Sequence, residues 1–233
     1  MSSLVARGDE GAAIDAQNRA ASLTLALGAP FVVAFLLIPD LVVAAAFERG
    51  AFSVAATQQA AGVLAAYALG MPALFVDRIV SASFLSRGDT ATPLKATLVG
   101  VAVNVALKIA LYRPLGAPGL ALGTAAGLWI KVLGVFALAR RRGWTALDGR
   151  FLATAAATLC AAGALALALA LADAPLASLL APLPRFARET RLVILGAIGA
   201  ALYFATLAAG LWLTGAAPAG LIGRTRGALG RAG

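Results

Sequence analysis

Residues 151–172 read FLATAAATLCAAGALALALALA, a run of 22 residues without one charged side chain. About 20 apolar residues in a helix are enough to cross the ~30 Å hydrocarbon core of a bilayer. Because water is absent there, a spanning segment must satisfy its backbone donors and acceptors internally, as an α-helix does. The polar groups in this run, Thr154, Thr158 and Cys160, are small. The stretch therefore predicts a transmembrane helix.

Five further runs of this kind predict a polytopic membrane protein of the all-α class. The chain is 61% hydrophobic and 12% charged, whereas a soluble domain is about half apolar and about a quarter charged. The links between the runs are short and rich in Gly, Pro and Asp, as turns are. The six predicted spans are 20–38, 60–84, 94–111, 119–139, 151–172 and 192–214, with a short interfacial helix at 39–47.

The basic residues follow membrane topology. The chain carries a net charge of +9, and its Lys and Arg residues gather at one set of span ends. Since basic loops stay in the cytoplasm, both termini are expected there, and the charge does not indicate a nucleic-acid partner. The set assigned to the cytoplasm has eleven members, Arg7, Arg19, Arg87, Lys95, Arg140, Arg141, Arg142, Arg150, Arg224, Arg226 and Arg231. The opposite set has five, Arg49, Arg113, Arg185, Arg188 and Arg191.

Residue usage argues against an enzyme. The chain contains no histidine and a single cysteine, Cys160, which lies inside an apolar run. This composition excludes Ser-His-Asp and Cys-His catalysis and the common zinc sites. It also excludes a disulfide framework within the chain. Catalysis would have to use carboxylates, and Asp77 is the one carboxylate well inside a span. No metal site and no cofactor are expected.

The link between the second and third spans contains Arg-Gly-Asp, within SFLSRGDTATPLKA at residues 83–96. An adhesive tripeptide would have to face outward, but the charge pattern assigns this link to the cytoplasm. Gly88 permits a tight turn, and Asp89, Thr90 or Thr92 can cap the next helix with Pro93 at its first position. A capped turn is therefore the preferred interpretation.

Charged and amide groups inside spans are costly, and they usually face a cavity or a partner. Asn104 and Lys108 are four residues apart and share a helical face. Thr124 and Lys131 are seven apart and share another face. With Arg78, these residues predict a hydrophilic cavity lined by spans two to four, in which the three cations contact an anion. For the two lysines, snorkelling to the nearby interfaces is an equal alternative.

Small residues and prolines predict helix packing. Gly119, Gly123 and Gly127 repeat every four residues in span four, a spacing that allows close approach of a second helix. Pro30 and Pro72 are expected to kink spans one and two. Spans five and six are apolar all round, as expected of helices that contact lipid. Tyr203 and Trp212 in span six are candidate interface anchors.

Several ordered landmarks in residues 47–127 closely resemble the lipid II flippase family MurJ, also called MviN. They are FERGAF at 47–52, AAYALGMPA at 65–73, the basic residue Arg78, F-x-x-RGDT-x-TP-x-K at 84–95 and PLGAPGLALGT at 114–124. ARGDEGAAIDAQNRA at 6–20 is similar to the family's preceding cytoplasmic segment. The resemblance covers most of the chain and weakens after Arg142. The turn residues that belong to the family motif are Arg87, Gly88, Asp89, Thr90, Thr92 and Pro93.

The resemblance implies a MOP-superfamily transporter, a MATE-like fold in which two six-helix lobes face a central cavity and two accessory helices follow. The landmarks align this chain with family helices nine to fourteen, that is, part of the second lobe and the accessory helices. The expected segments are a cytoplasmic stretch at 1–19, four lobe helices in 20–142, two accessory helices with a periplasmic linker in 143–216, and a cytoplasmic basic tail at 217–233.

The resemblance also implies roles for individual residues. Arg78 matches a basic position of the cavity wall, where it would meet the substrate's pyrophosphate. Asn104 and Thr124 resemble two sodium-ligand positions that some members have. Lys108 stands where an acidic or amide ligand would be, so we expect no sodium site and a fixed ammonium in its place.

The function expected from the resemblance is translocation of a lipid-linked peptidoglycan precursor across the bacterial inner membrane by alternating access. An ion gradient or the membrane potential would supply the energy, because the sequence has no P-loop. The expected partners are the precursor, membrane lipid and cell-wall synthesis proteins. Two alternatives stay open: an exporter of another lipid-linked oligosaccharide, and a non-transporting scaffold for cell-wall enzymes.

Overall fold

The computed structural model describes residues 2–182 and 186–216, and these form helices joined by short links. The predicted tail at 217–233, with Arg224, Arg226 and Arg231, and also Arg185 lie outside the described residues. The helices are α1 (Ser2–Ala6), α2 (Glu10–Leu37), α3 (Pro39–Phe47), α4 (Val54–Ala68), α5 (Met71–Leu85), α6 (Ala91–Leu115), α7 (Ala117–Arg141), α8 (Gly149–Leu180) and α9 (Ala187–Leu213).

The six predicted spans are confirmed as helices long and apolar enough to cross a membrane, with α4 and α5 together forming the second. The short helix α3 has the predicted bounds. Two other bounds differ. Helix α2 begins at Glu10, because Asp9 Oδ1 accepts a hydrogen bond from Ala12 N at 2.9 Å, so the predicted N-terminal segment is largely helical. Helix α8 continues through Pro175 to Leu180, because the Ala- and Leu-rich segment around the proline favours helix.

The second span is interrupted at Gly70, just before Pro72. Proline has no N–H to donate, so the backbone bonds of the preceding turn are incomplete. Trp129 of α7 donates its indole N–H to the carbonyl of Leu69 at 2.8 Å. A Cβ at Gly70 would lie 3.0 Å from the Ala125 Cα, so the interruption sits against the backbone of α7. The kink predicted at Pro72 is therefore a break stabilised by the neighbouring helix.

Glycines bring α6 and α7 into backbone contact. A Cβ at Gly127 would lie 2.5 Å from the carbonyl oxygen of Gly100, and one at Gly123 would lie 3.1 Å from Lys108 Cγ. No side chain larger than hydrogen fits at Gly127 without movement of the α6 backbone. The predicted packing role of the glycine repeat in span four is confirmed, and its partner is α6.

Helices α8 and α9 pack as a hairpin against α2 and α3. Tyr203 of α9 is fully buried and donates its hydroxyl to the carbonyl oxygen of Ala26 at 2.6 Å. Ala26 is four residues before Pro30, so its carbonyl lacks the usual helical donor. The expectation that Tyr203 anchors at the membrane interface is wrong, because its hydroxyl satisfies this carbonyl inside the protein.

Polar contacts tie the helices at both membrane faces. At the end that contains Arg87, termed the Arg87 end, α2 contacts the link between α7 and α8. There Gln17 donates to the Thr145 hydroxyl at 3.0 Å and Asn18 donates to the Ala146 carbonyl at 2.8 Å. At the opposite end, termed the Arg188 end, the described residues form three ion pairs, Glu48–Arg188, Arg49–Glu189 and Asp173–Arg191.

Candidate functional site

The turn at 86–90 has the capped form predicted for it, with two differences. Gly88 adopts φ +77°, a conformation that favours glycine. Asp89 supplies the cap, because its carboxylate accepts from Thr92 N at 2.9 Å and from the Thr92 hydroxyl at 2.7 Å. Thr90 makes no side-chain cap bond, and Pro93 is the third helical residue rather than the first. A proline there is tolerated because N–H groups of the first turn have no helical acceptor.

Arg87 joins three elements at the turn: α2, α5 and the link between α7 and α8. Its side chain is only 7% exposed, pairs with Glu10 of α2 and donates to the Ser83 carbonyl and hydroxyl at 2.8 Å. The guanidinium also lies 5.0 Å from the ring centroid of Trp144 in the α7–α8 link, within cation–π range. The family-motif arginine is therefore a structural clamp at the Arg87 end.

Asp89 extends this junction to the end of α7. Arg142 pairs with Asp89 and lies over the Trp144 ring at 4.8 Å. The bonds from Thr92, and then the one from Arg142, lower the pKa of the Asp89 carboxyl from its ordinary 3.8 to about 2. Asp89 is thus ionised throughout the neutral range, and its charge is compensated locally.

Inside the membrane, Lys131 of α7 pairs with Asp77 of α5 at 2.8 Å. Asp77 is 7% exposed and also accepts from the Ser81 hydroxyl at 3.1 Å. Pairing lowers the free-energy cost of placing the two charged side chains in the hydrocarbon core. Lys131, predicted either to contact an anion or to snorkel, is instead held by a carboxylate. The pair was not among the sequence predictions, although opposite charges in two spans were a signal for it.

Arg78 follows Asp77 directly in the chain and is exposed. Adjacent helical residues point about 100° apart, so Arg78 lies on a different face from the Asp77–Lys131 pair. Across residues 2–182 and 186–216, its guanidinium makes no hydrogen bond or ion pair. The structure therefore presents Arg78 as a charge inside a span, seven residues before the span ends at Leu85, with its donors available to a ligand.

Asn104, Thr124 and Lys108 meet at the α6–α7 contact. The Thr124 hydroxyl lies 3.5 Å from Asn104 Oδ1 and 3.2 Å from the Leu120 carbonyl. Lys108 packs beside them, against Gly123. The described part of the chain contains no group of three His, Cys, Asp or Glu side chains that could hold a metal. The Lys108 contact at Gly123 is made by its Cγ and its backbone N, so the expectation that an ammonium stands in place of a sodium ion stays a prediction.

Comparison with known proteins identifies the family. The family model described as lipid II flippase MurJ matches residues 1–181. This chain belongs to the MurJ family. Probable lipid II flippases MurJ of Rhizobium tropici and Rhizobium meliloti (strain 1021) are 36% and 37% identical over 131 residues, or 56% of this chain. The chain is thus a multi-pass protein of the bacterial inner membrane, as predicted.

The match is to part of a MurJ protein. The chain spans about a quarter of the length of these relatives, 25% and 24%. A solved structure, lipid II flippase MurJ in an inward closed conformation, superposes with TM-score 0.68 and 21% identity, over 90% of this chain and 41% of that one. This likeness confirms the predicted all-α membrane fold. The partial coverage fits the predicted placement in the family's C-terminal portion.

Proposed function

We propose that this chain is part of a flippase that moves a lipid-linked peptidoglycan precursor across the inner membrane by alternating access. Relatives that carry the name lipid II flippase support this proposal. The observation that carries it is Arg78, an exposed guanidinium within a span. A cation at that depth is costly unless an anion or a water-filled cavity meets it. Its planar fork suits the bidentate recognition of a phosphate.

The other two intramembrane cations have different surroundings. The charge of Lys131 is neutralised by Asp77, so we assign Lys131 to holding α5 and α7 together. Lys108 is half-buried at the α6–α7 contact beside Asn104 and Thr124. Lys108 is a fixed charge in place of a sodium ion, and its second role is to attract the substrate's phosphates from across the cavity. An ion gradient or the membrane potential supplies the energy for transport.

The accessory helices suit the apolar part of the substrate. Leu159, Leu167 and Leu171 share one face of α8 and are 60–72% exposed. Gly163, on the same face, leaves open space in front of its backbone. A polyprenyl chain could lie along this surface by apolar contact alone. Cell-wall synthesis proteins would meet the cytoplasmic side, where we place both termini on the charge asymmetry.

The test of this function is Arg78→Ala in the gene product that contains this chain. Lipid II reaching the outer face of spheroplasts is measured with a membrane-impermeant reagent. Loss of a charge-assisted hydrogen bond is worth about 1.5–3 kcal/mol, so flipping should fall roughly 10- to 100-fold. Arg78→Lys should keep part of the activity, because it retains the charge without the fork.

Arg113→Ala is the matched control, since Arg113 is an exposed arginine in the last turn of α6. If Arg78→Ala flips lipid II as fast as Arg113→Ala at equal protein level, the proposed role of Arg78 is wrong and a scaffold is favoured. Lys108→Asp tests the fixed-charge proposal separately. We expect thermal stability to become sodium-dependent in this variant, and stability that ignores sodium would argue against an ion-like role for Lys108.

A further inference from the structure

Helices α6 and α7 separate towards the Arg87 end and leave a groove between them. Their contact is tight where Gly127 of α7 meets Gly100 of α6. A Cβ at Gly127 would lie 2.5 Å from the Gly100 carbonyl oxygen. Seven residues further along α7, a Cβ at Gly134 would meet no atom within 4 Å. The opening encloses about 370 Å³. Its walls include Thr92, Lys95 and Val99 of α6 and Ile130, Gly134 and Leu138 of α7.

The groove is apolar in depth and cationic at its mouth. Val99, Ile130 and Leu138 are 56%, 42% and 38% exposed, so its walls are open to whatever surrounds the helices. Lys95 lies exposed at the end near the membrane face. Within residues 2–182 and 186–216, Lys95 has no hydrogen-bond or ion-pair partner. Arg141 is three residues beyond Leu138 and shares its helical face, which adds a second positive charge near the mouth.

The nearby carboxylate of Asp89 does not neutralise the positive charge at the mouth of the groove. Asp89 is the carboxylate of the adjoining turn, and it is already occupied by Thr92 and Arg142. The mouth therefore keeps a net positive charge close to the level of the lipid headgroups. A polybasic position near a membrane surface attracts anionic lipid by about 1 kcal/mol per Lys or Arg.

The charged mouth and the apolar walls together indicate the occupant. From Thr92 to Val99 the groove runs seven residues, or about 10 Å at 1.5 Å per residue. An anionic phospholipid matches both features, because its phosphate suits the cation at the mouth and its acyl chain suits the apolar walls.

We propose that the groove between α6 and α7 binds one anionic phospholipid of the leaflet at the Arg87 end. Its phosphate meets Lys95, and one acyl chain lies between Val99 and Gly134. This site is separate from Arg78, which lies on α5. It would tie the composition of that leaflet to the spacing of α6 and α7.

The test is native mass spectrometry of the protein purified in mild detergent, titrated with dioleoylphosphatidylglycerol or dioleoylphosphatidylcholine. We expect phosphatidylglycerol to bind about 5-fold more tightly, and Lys95→Gln to remove that preference. Gly134→Leu fills the open space and should weaken binding of both lipids. Arg140→Gln, an exposed cation of α7 outside the groove, and Gly196→Leu, an open glycine on α9, are the matched controls.

Three results would overturn the proposal. The first is equal binding of the two lipids by the unmodified protein. The second is an equal loss in Lys95→Gln and Arg140→Gln, which would indicate diffuse attraction rather than a site. The third is displacement of bound phosphatidylglycerol by a polyprenyl diphosphate that is present at a lower concentration than the phosphatidylglycerol. The groove would then bind the transported lipid. Unchanged thermal stability of Lys95→Gln confirms that a loss is local.

Discussion

Tyr203→Phe removes a hydroxyl that the structure uses to satisfy a backbone carbonyl inside the membrane. Tyr203 is fully buried, and its hydroxyl donates to the Ala26 carbonyl at 2.6 Å. Pro30 occupies the position whose N–H would otherwise donate to that carbonyl. The substitution therefore leaves a buried acceptor with no donor from its own helix.

The expected loss is about 1–2 kcal/mol in the free energy of unfolding. Hydrogen bonds between helices in a membrane average only about 0.6 kcal/mol, with a maximum near 1.7, because the unfolded state in lipid also finds partners. Because Pro30 has no N–H, the Ala26 carbonyl lacks a helical donor in the unfolded state as well. The loss in free energy of unfolding should therefore approach the cost of an unsatisfied buried carbonyl, about 1–3 kcal/mol.

The assay is reversible unfolding in mixed micelles with increasing SDS, followed by far-UV circular dichroism. Tyr67→Phe is the control, because Tyr67 is 47% exposed and should change stability by less than about 0.5 kcal/mol. Pro30→Ala restores an N–H to the helix, so the double variant with Tyr203→Phe should lose less than the sum of the two single losses. Additive losses, or equal effects of Tyr203→Phe and Tyr67→Phe, would refute the reasoning.

Three further predictions concern the core and the turn. Gly127→Ala should destabilise by about 1–3 kcal/mol through overpacking against α6, whereas Gly134→Ala should be neutral or stabilising, and SDS unfolding compares them. Asp77→Asn should cost about 3 kcal/mol in the same assay by stranding Lys131, and adding Lys131→Met should recover most of it; no recovery would contradict the pairing. Because the Asp89 pKa is lowered to about 2, its stabilisation is complete above pH ~4 and is lost between pH ~4 and ~2. The loss appears in acid titrations followed by Trp fluorescence, and Asp89→Asn should abolish that part of the pH dependence.

The sequence predicted local features because hydropathy and turn chemistry are local. The six spans, the short helix at 39–47 and the glycine turn at Gly88 each depend on residues near one another in the chain. Helix ends were less accurate. The apolar count began span one at residue 20, whereas the Asp9 cap begins α2 at Glu10.

Pairings between distant spans were not predictable in this way. Lys131 and Asp77 are far apart in sequence, and hydropathy does not state which helix faces which. The sequence shows the charges, but it does not decide whether each one faces a cavity, pairs with a partner or snorkels to the interface. The Tyr203 contact left a weaker signal: a proline in a span implies an unpaired carbonyl four residues earlier, and any buried hydroxyl could serve it.

The polar ties also explain how an apolar hairpin keeps its place. In lipid, the Leu and Ala faces of α8 and α9 gain little from contact with α2, since acyl chains are equally apolar. Register must then come from directional contacts, and the structure has them at three depths. Thr145 and Ala146 are held at the Arg87 end, Tyr203 near the middle and Glu189 at the Arg188 end. Three ties spread along the length of the hairpin fix both its height and its rotation, which apolar packing alone would leave free.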